Sequence, residues 1–394
     1  MTQALRRVAC VATTCLLAAC SEPVRAQNSA LAGDVETAEA ALRRGDRDTA
    51  MRTAARVLEA FQGLRAPRSA DHVVAGRAYV ILGLGDAQAV RSALAAFDAA
   101  RAADPANVEA ELRAGALFLD KYNAPDARES FESVLKTSPN NARATLGLAH
   151  VMDFEGKGDA MAMARKALAA DPKLTDALVM VARKHLESEQ YDSASIISRR
   201  AIAADSTSIE AWAVLGATAW VTGDSATFQR SRAAATLLQP RPAQFMTELA
   251  EAAVRQRRYA DAVQFAAQAV ALDSLSVHAL GVLGTNQLRI GAMVDGQRAL
   301  DRAFKLDPFN LWHKNTLDLL DKLSTFRTIE RGRFQLVAPA EEAELLALYA
   351  IPLLESAYDS LAVRYGYKPP TPVRLEFYRQ HADFSVRTVG LAGL

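Results

Sequence analysis

Small and apolar residues return along this chain with a period of 34 between Ala93 and Pro308, and polar punctuation follows each return. The marks are Asp104-Pro105, Ser138-Pro139, Asp171-Pro172, Asp205-Ser206, Gln239-Pro240, Asp273-Ser274 and Asp307-Pro308. Every step is 34 residues except one of 33. So constant a period marks a tandem array in which each repeat is one supersecondary unit. Counting back from Ser274, Ala269 and Ala262 lie on one helix face, with Tyr259 near the helix start. The same offsets give Ala201, Ala194 and Tyr191 before Ser206, and Ala100, Phe97 and Ala93 before Pro105. Alanines a heptad apart let a second helix approach closely, and the aromatic fills the space beside them. The pattern predicts tightly packed helix pairs and an all-α fold.

The first helix of each pair carries its own mark, clearest in Trp212-x-x-Leu215-Gly216 and echoed by Leu283-Gly284, Ala114-Gly115 and Leu146-Gly147. W-x-x-L-G, a later small residue, an aromatic and a closing proline at period 34 resemble the tetratricopeptide repeat. The resemblance covers roughly Asp34 to Ser324 and implies a right-handed superhelix of about eight repeats, with residues 34–325 as the solenoid. The first repeat is carried by Gly45-Asp46, Ala50 and Val57, and a solitary helix from Leu311 to Leu323 caps the array. Gln62 to Pro105 is nine residues longer than the ruler allows, which predicts extra loop at Gly63–Ser69 and Gly83–Gln88.

After Ser324 the ruler stops. Arg333 to Val337 alternates as a strand, Glu341 to Tyr365 reads as an amphipathic helix kinked or interrupted by Pro352, and Val373 to Tyr378 alternates again. This order, followed by His381, Asp383, Phe384, Ser385, Arg387, Thr388, Gly390 and Gly393, resembles the opening of the peptidase-MA-like, gluzincin-type domain. In that family a zinc-binding H-E-x-x-H helix follows this region. Residues 326–394 then form a partial α+β domain, apparently truncated, and no catalytic or metal-ligating residue carries over onto this chain. Zinc is implied only by an H-E-x-x-H encoded beyond Leu394, so the enzyme question stays open at the sequence level. No cofactor is otherwise implied.

Composition sharpens the address. Half the residues are hydrophobic and 23% are charged, enough for a large core and unlike a disordered chain. The formal charge is +1, so nothing favours a nucleic-acid partner. The three cysteines, Cys10, Cys15 and Cys20, all fall in the first twenty residues, which rules out a downstream disulfide framework. Arg6 and Arg7 followed by the apolar run Val8–Ala19 read as a secretory leader over residues 1–19, too short to span a bilayer. Leu17-Ala18-Ala19-Cys20 resembles the bacterial lipobox, which implies acylation of Cys20, cleavage before it and a tether at 20–33. An ordinary leader cut after Val24-Arg25-Ala26 is the alternative. Ser21 after the cysteine implies passage to the outer membrane, facing the periplasm.

The layout of the tetratricopeptide family implies a concave wall that includes Arg183, Leu186, Glu187, Ala213, Ala217, Trp220, Glu251, Arg255, Thr285 and Arg289. This wall lacks the basic pattern with which chaperone-binding members grip a terminal carboxylate. Trp220 between alanines is a candidate pocket for an apolar side chain, or a packing residue between repeats. His72, His150, His185, His278 and His313 have no second histidine or cysteine at ligand spacing and read as helix-surface or inter-repeat residues. Two function classes follow: an envelope lipoprotein that binds a peptide or protein partner and begins a metallopeptidase-like domain, or a non-enzymatic scaffold lipoprotein of an outer-membrane complex.

Overall fold

A computed structural model describes residues 31–392. The leader at 1–19, Cys20 and the tether as far as residue 30 lie outside the described residues. The described chain opens with a helix, α1 (31–43), followed by α2 (Arg47–Gln62), α3 (Ser69–Leu82), α4 (Ala87–Ala103), α5 (Val108–Asp120) and α6 (Ala124–Thr137). Next come α7 (Ala142–Glu155), α8 (Ala160–Ala170), α9 (Thr175–Glu187), α10 (Tyr191–Ala204), α11 (Ile209–Thr222) and α12 (Ser225–Leu238). The array ends with α13 (Ala243–Arg255), α14 (Tyr259–Leu272), α15 (Val277–Arg289), α16 (Met293–Leu306) and α17 (Leu311–Leu323). Helices α1–α16 make eight consecutive pairs and α17 stands alone, as the repeat ruler predicts. The extra length of the second repeat is absorbed by the loop at 63–68 and by α4, which runs 17 residues.

The punctuation acts through local chemistry. Each second helix from α4 to α16 stops one residue before its mark. The mark residue is extended or nearly so, as at Asp104 (φ −150°, ψ 98°) and Asp205 (φ −143°, ψ 101°). Pro105 favours that conformation at Asp104, and Asp205 adopts it with Ser206 following. The Asp104, Asp171, Asp205 and Asp307 carboxylates each accept from the N–H two residues on, an Asx turn that directs the chain into the next repeat. Asn107, Asn141, Ser208, Ser276 and Asn310 then accept from the third N–H of the next first helix and cap it.

The leucine-glycine mark has an equally direct cause. A Cβ on Gly147 would sit 2.5 Å from the Phe131 ring, and one on Gly216 would sit 2.6 Å from Phe245. Only a glycine lets the aromatic of a neighbouring helix lie flush on the backbone there. The alanines at the heptad offsets, Ala93, Ala100, Ala194, Ala201, Ala262 and Ala269, are fully buried.

Two compact units can be distinguished. One comprises the residues up to Gln256 with Gln268–Ser274, and the other comprises Arg257–Ala267 with Leu275–Leu394. In the first, the beginning and end of the unit meet: Arg47 donates to Asp273 at 3.1 Å, and the Gln239 side chain lies against Gly45.

In the second unit, β1 (Arg327–Arg331) and β2 (Phe334–Ala338) form an antiparallel hairpin across Gly332-Arg333, with Gly332 at φ 57°. The helix α18 (Ala343–Tyr365) then returns the chain to β3 (Val373–Glu376), which pairs parallel with β2, Leu336 opposite Leu375. A parallel pair requires such a crossover. Three sequence expectations change here. Strand β1 was not expected, because Ile329 is its sole buried side chain and charges flank it. Pro352 does not interrupt α18, and it sits on the exposed side where a missing N–H costs least. The last strand stops at Glu376 rather than Tyr378, because the Tyr378 hydroxyl turns back to donate to Glu376. The final helix, α19 (His381–Val389), docks on α17, with the Asn315 amide donating to the Gly390 carbonyl.

Candidate functional site

The wall built by the first helices of successive pairs carries most of the sequence-derived site residues. Arg183 projects from α9 and meets Glu248 of α13, with Nη2 to Oε2 at 2.7 Å and Nε shared between the two carboxylate oxygens at 3.2 Å. One turn further along, Arg255 of α13 donates to Glu187 of α9 at 2.9 Å. Glu187 also accepts from Lys184 at 2.7 Å, and Lys184 reaches Asp153 of α7. Two ion pairs thus join α9 directly to α13, skipping the intervening α11. Ala213 and Ala217 of α11 are fully buried.

The electrostatics follow from that geometry. Burial works against the Arg183 charge, but Glu248 beside it, with Glu251 and Glu187 nearby, holds its pKa above the ordinary arginine value. Lys184 is likewise raised: burial opposes its charge, and Asp153 and Glu187 outweigh it. Arg255 differs from its neighbours because its Nη1 is buried and has no hydrogen-bond partner. A guanidinium N–H left unpaired in a partly buried site is a donor available to an incoming acceptor.

The structure therefore brings together Arg183, Glu187, Arg255 and Glu251, and it adds Glu248, Lys184 and Asp153, which sequence reasoning did not single out. Glu248 follows Thr247 inside an apolar run, and only its reach to Arg183 across two repeats identifies it. Trp220 is half-buried on α11. The alanines at 213 and 217 do not line an open apolar pocket, because both are fully buried. Arg289 belongs to the other unit, where it is exposed, lies over the Tyr259 ring at 5.3 Å and donates to Asn286.

The histidines sit inside or between helices. His72 packs edge-on to Phe61, and the His185 ring nitrogen pairs with Gln190 at 2.6 Å. His150 is lowered by burial. Burial, with a smaller contribution from His278, pushes His313 down to about 4. Among the described residues no three His, Cys, Asp or Glu side chains converge to hold a metal ion. The described residues therefore do not fit a zinc site.

Helix pairs that recur at a 34-residue period from α4 onward, four of them closing on Asx turns, with aromatics stacked on glycine, define a tetratricopeptide-like helical solenoid with a small α/β tail. No family model matches the chain, and no curated protein matches it. Among solved structures it is similar to a tetratricopeptide repeat protein from Parabacteroides merdae, with 15% identity, 64% of this chain and 98% of that chain covered, and a TM-score of 0.43. It is also similar to yeast Tom70 (14% identity, 74% of each chain, TM-score 0.47). A third likeness is to the APC/C hetero-tetramer Cut9-Hcn1 (16% identity, 74% of this chain and 55% of that chain, TM-score 0.45). These are likenesses of fold.

Proposed function

We propose that this protein is an envelope-anchored lipoprotein whose repeat array binds a peptide or protein partner through the α9–α11–α13 wall. The observation that carries the reading is the charged cluster on first helices, half-buried Arg183, Glu187 and Arg255 around buried Glu248, with one guanidinium N–H unpaired. A partner presenting a carbonyl or carboxylate would engage Arg255 there and exchange with the Glu187 pair. The lipobox at Leu17–Cys20 supports an anchor in the outer membrane, facing the periplasm.

The finer part of the proposal is that the tail begins a metallopeptidase-like domain. Its support is the hairpin, crossover helix and parallel strand at 327–376, together with the resemblance of the tail sequence to that domain's opening. The second reading is a non-enzymatic scaffold for an outer-membrane complex, supported by the repeat array itself, whose layout suits protein binding. Sequencing the locus past Leu394 separates them. An in-frame H-E-x-x-H is expected, and a continuation without it leaves the scaffold.

Anchoring is tested by Cys20→Ser, which should block labelling by radioactive palmitate and leave unprocessed precursor. A wild-type protein that starts at Gln27 and is released as soluble would defeat the anchor. Partner binding is tested by affinity purification of the anchored protein and its Arg255→Ala variant from their native membranes. A partner retained equally by both would exclude the wall.

A further inference from the structure

Away from that wall, the second helices α10 and α12 flank α11 around a cavity of about 180 Å³. Its lining is Arg199 and Ile202 from α10, Trp212 and Leu215 from α11, and Thr227, Arg230 and Ser231 from α12. The cavity has a cause in the sequence: Ser231 stands where the helices one repeat away carry Ile197 and Phe265. A small hydroxyl in place of a large apolar side chain leaves the space empty. Ser231 is 0% exposed, and its Oγ has no hydrogen-bond partner. Serine within a helix ordinarily donates to the carbonyl four residues back, as Ser198 does to Ala194 at 2.7 Å. A buried polar atom left unsatisfied calls for a ligand or a water.

The charged residues of the lining are both arginines. Arg199 makes no side-chain hydrogen bond or ion pair among the described residues, and Arg230 donates only to the Thr227 hydroxyl at 2.8 Å. Helix α12 has no acidic residue at all, and α10 has one, Asp192, in its first turn. Other exposed arginines are neutralised by a carboxylate, as Arg143 is by Glu109 and Arg258 by Asp261. Unpaired guanidinium groups beside an apolar cavity favour an anion attached to an apolar body. The volume sets the size of that body, because 180 Å³ is smaller than a drug-sized pocket and suits one apolar side chain.

We propose that this cavity binds a small apolar group bearing a carboxylate, its apolar part against Ile202, Leu215 and Trp212 and its carboxylate held by Arg199 and Arg230. The Ser231 hydroxyl, next to Arg230 on α12, supplies a further hydrogen bond to the carboxylate. The same chemistry is offered by a free small acid and by the C-terminal residue of a peptide. The site is independent of the α9–α13 wall and stands if the wall's function fails.

Calorimetric titration of the full chain with N-acetyl-leucine, N-acetyl-leucinamide and an alanine pentapeptide ending in leucine tests it. Saturable binding of the acid with at least about tenfold weaker binding of the amide is expected, as is a further loss at high salt. Arg199→Gln with Arg230→Gln should weaken the acid at least about tenfold without lowering the melting temperature, since both side chains are exposed. Ser231→Val should weaken binding while keeping or raising the melting temperature. A pentapeptide that binds more tightly than N-acetyl-leucine makes the source a chain end, and equal binding makes it a free acid. Equal binding of acid and amide, an unchanged affinity in the arginine variant, or no saturable binding of either acid at millimolar concentration overturns the proposal.

Discussion

At Gly147 and Gly216 a single absent methyl group decides how closely two helices meet, since the Phe131 and Phe245 rings occupy the space a Cβ would need. Gly147→Ala should cost about 1–3 kcal/mol in chemical denaturation through overpacking, and Ala201→Leu should cost a similar amount because Ala201 has no exposed surface. A loss below about 0.5 kcal/mol would mean the pairs are looser than described. His313 carries a second consequence. It packs against Gly281, its Nδ1 is buried without a partner, and its pKa lies at about 4 in the folded chain against an ordinary value near 6.5. With the folded value depressed, the unfolded chain binds the extra proton first, so stability is complete above about pH 6.5 and falls as the pH drops toward 4. Allowing for partial solvent access, His313→Met should remove about 2 kcal/mol of that pH dependence. Parallel pH profiles of variant and wild type would show the histidine to be silent.

The elements divide into those dictated locally and those held by a neighbour. The first helices α5, α7, α11 and α15, and the solitary α17, have side-chain caps at Asn107, Asn141, Ser208, Ser276 and Asn310, whereas α9 and α13 have none and are held by their neighbours. Helix α18 has no side-chain cap and depends on the sheet. Its Ala343, Ala347 and Ile351 pack on Ile329, Leu336 and Ala338. Arg333 clamps it from the hairpin through Glu355 at 2.5 Å, through Asp359, and by lying 4.2 Å over the Tyr358 ring. Its other face exposes Leu345, Leu348, Tyr349 and Leu353. By length and composition alone this helix could cross a bilayer, although its inner face already has a protein partner. Ile351→Ala should therefore destabilise the tail by about 2–4 kcal/mol, whereas Leu353→Lys should change stability by less than about 0.5 kcal/mol. Limited proteolysis of the tail reads both, and the reverse order of sensitivity would invert the assignment of the two faces.

On the scale of the molecule, the first compact unit brings its beginning and end together through Arg47 and Asp273 and through Gly45 and Gln239. Pairs of exposed or half-exposed ions contribute little, about 1 kcal/mol or less, so this contact reports geometry more than stability. Because no cysteine follows Cys20, Arg47→Cys combined with Asp273→Cys gives a clean probe. A short bismaleimide should link the two within one chain, detectable by mass spectrometry. Failure to link would mean that the unit opens in solution.

The sequence by itself determined the repeats: their period, their eight pairs, the solitary α17 and the positions of the closing turns. Every one of those features rests on neighbours within about 34 residues, where spacing alone sets which side chains share a face. The tail was half legible. Residues 333–337 and 373–378 alternate and read as strands, but β1 has one buried side chain and becomes a strand only by pairing with β2. The candidate wall was legible as a set of positions and not as a set of partners. Arg183 meets Glu248 and Glu187 meets Arg255 across some 65 residues, and Ala213 and Ala217 become buried, only when α9 and α13 come together. The arginines around Ser231 show the same division. The missing large side chain is written in the repeat, but the cavity it leaves, and the two guanidinium groups lining it, exist only once α10, α11 and α12 are packed.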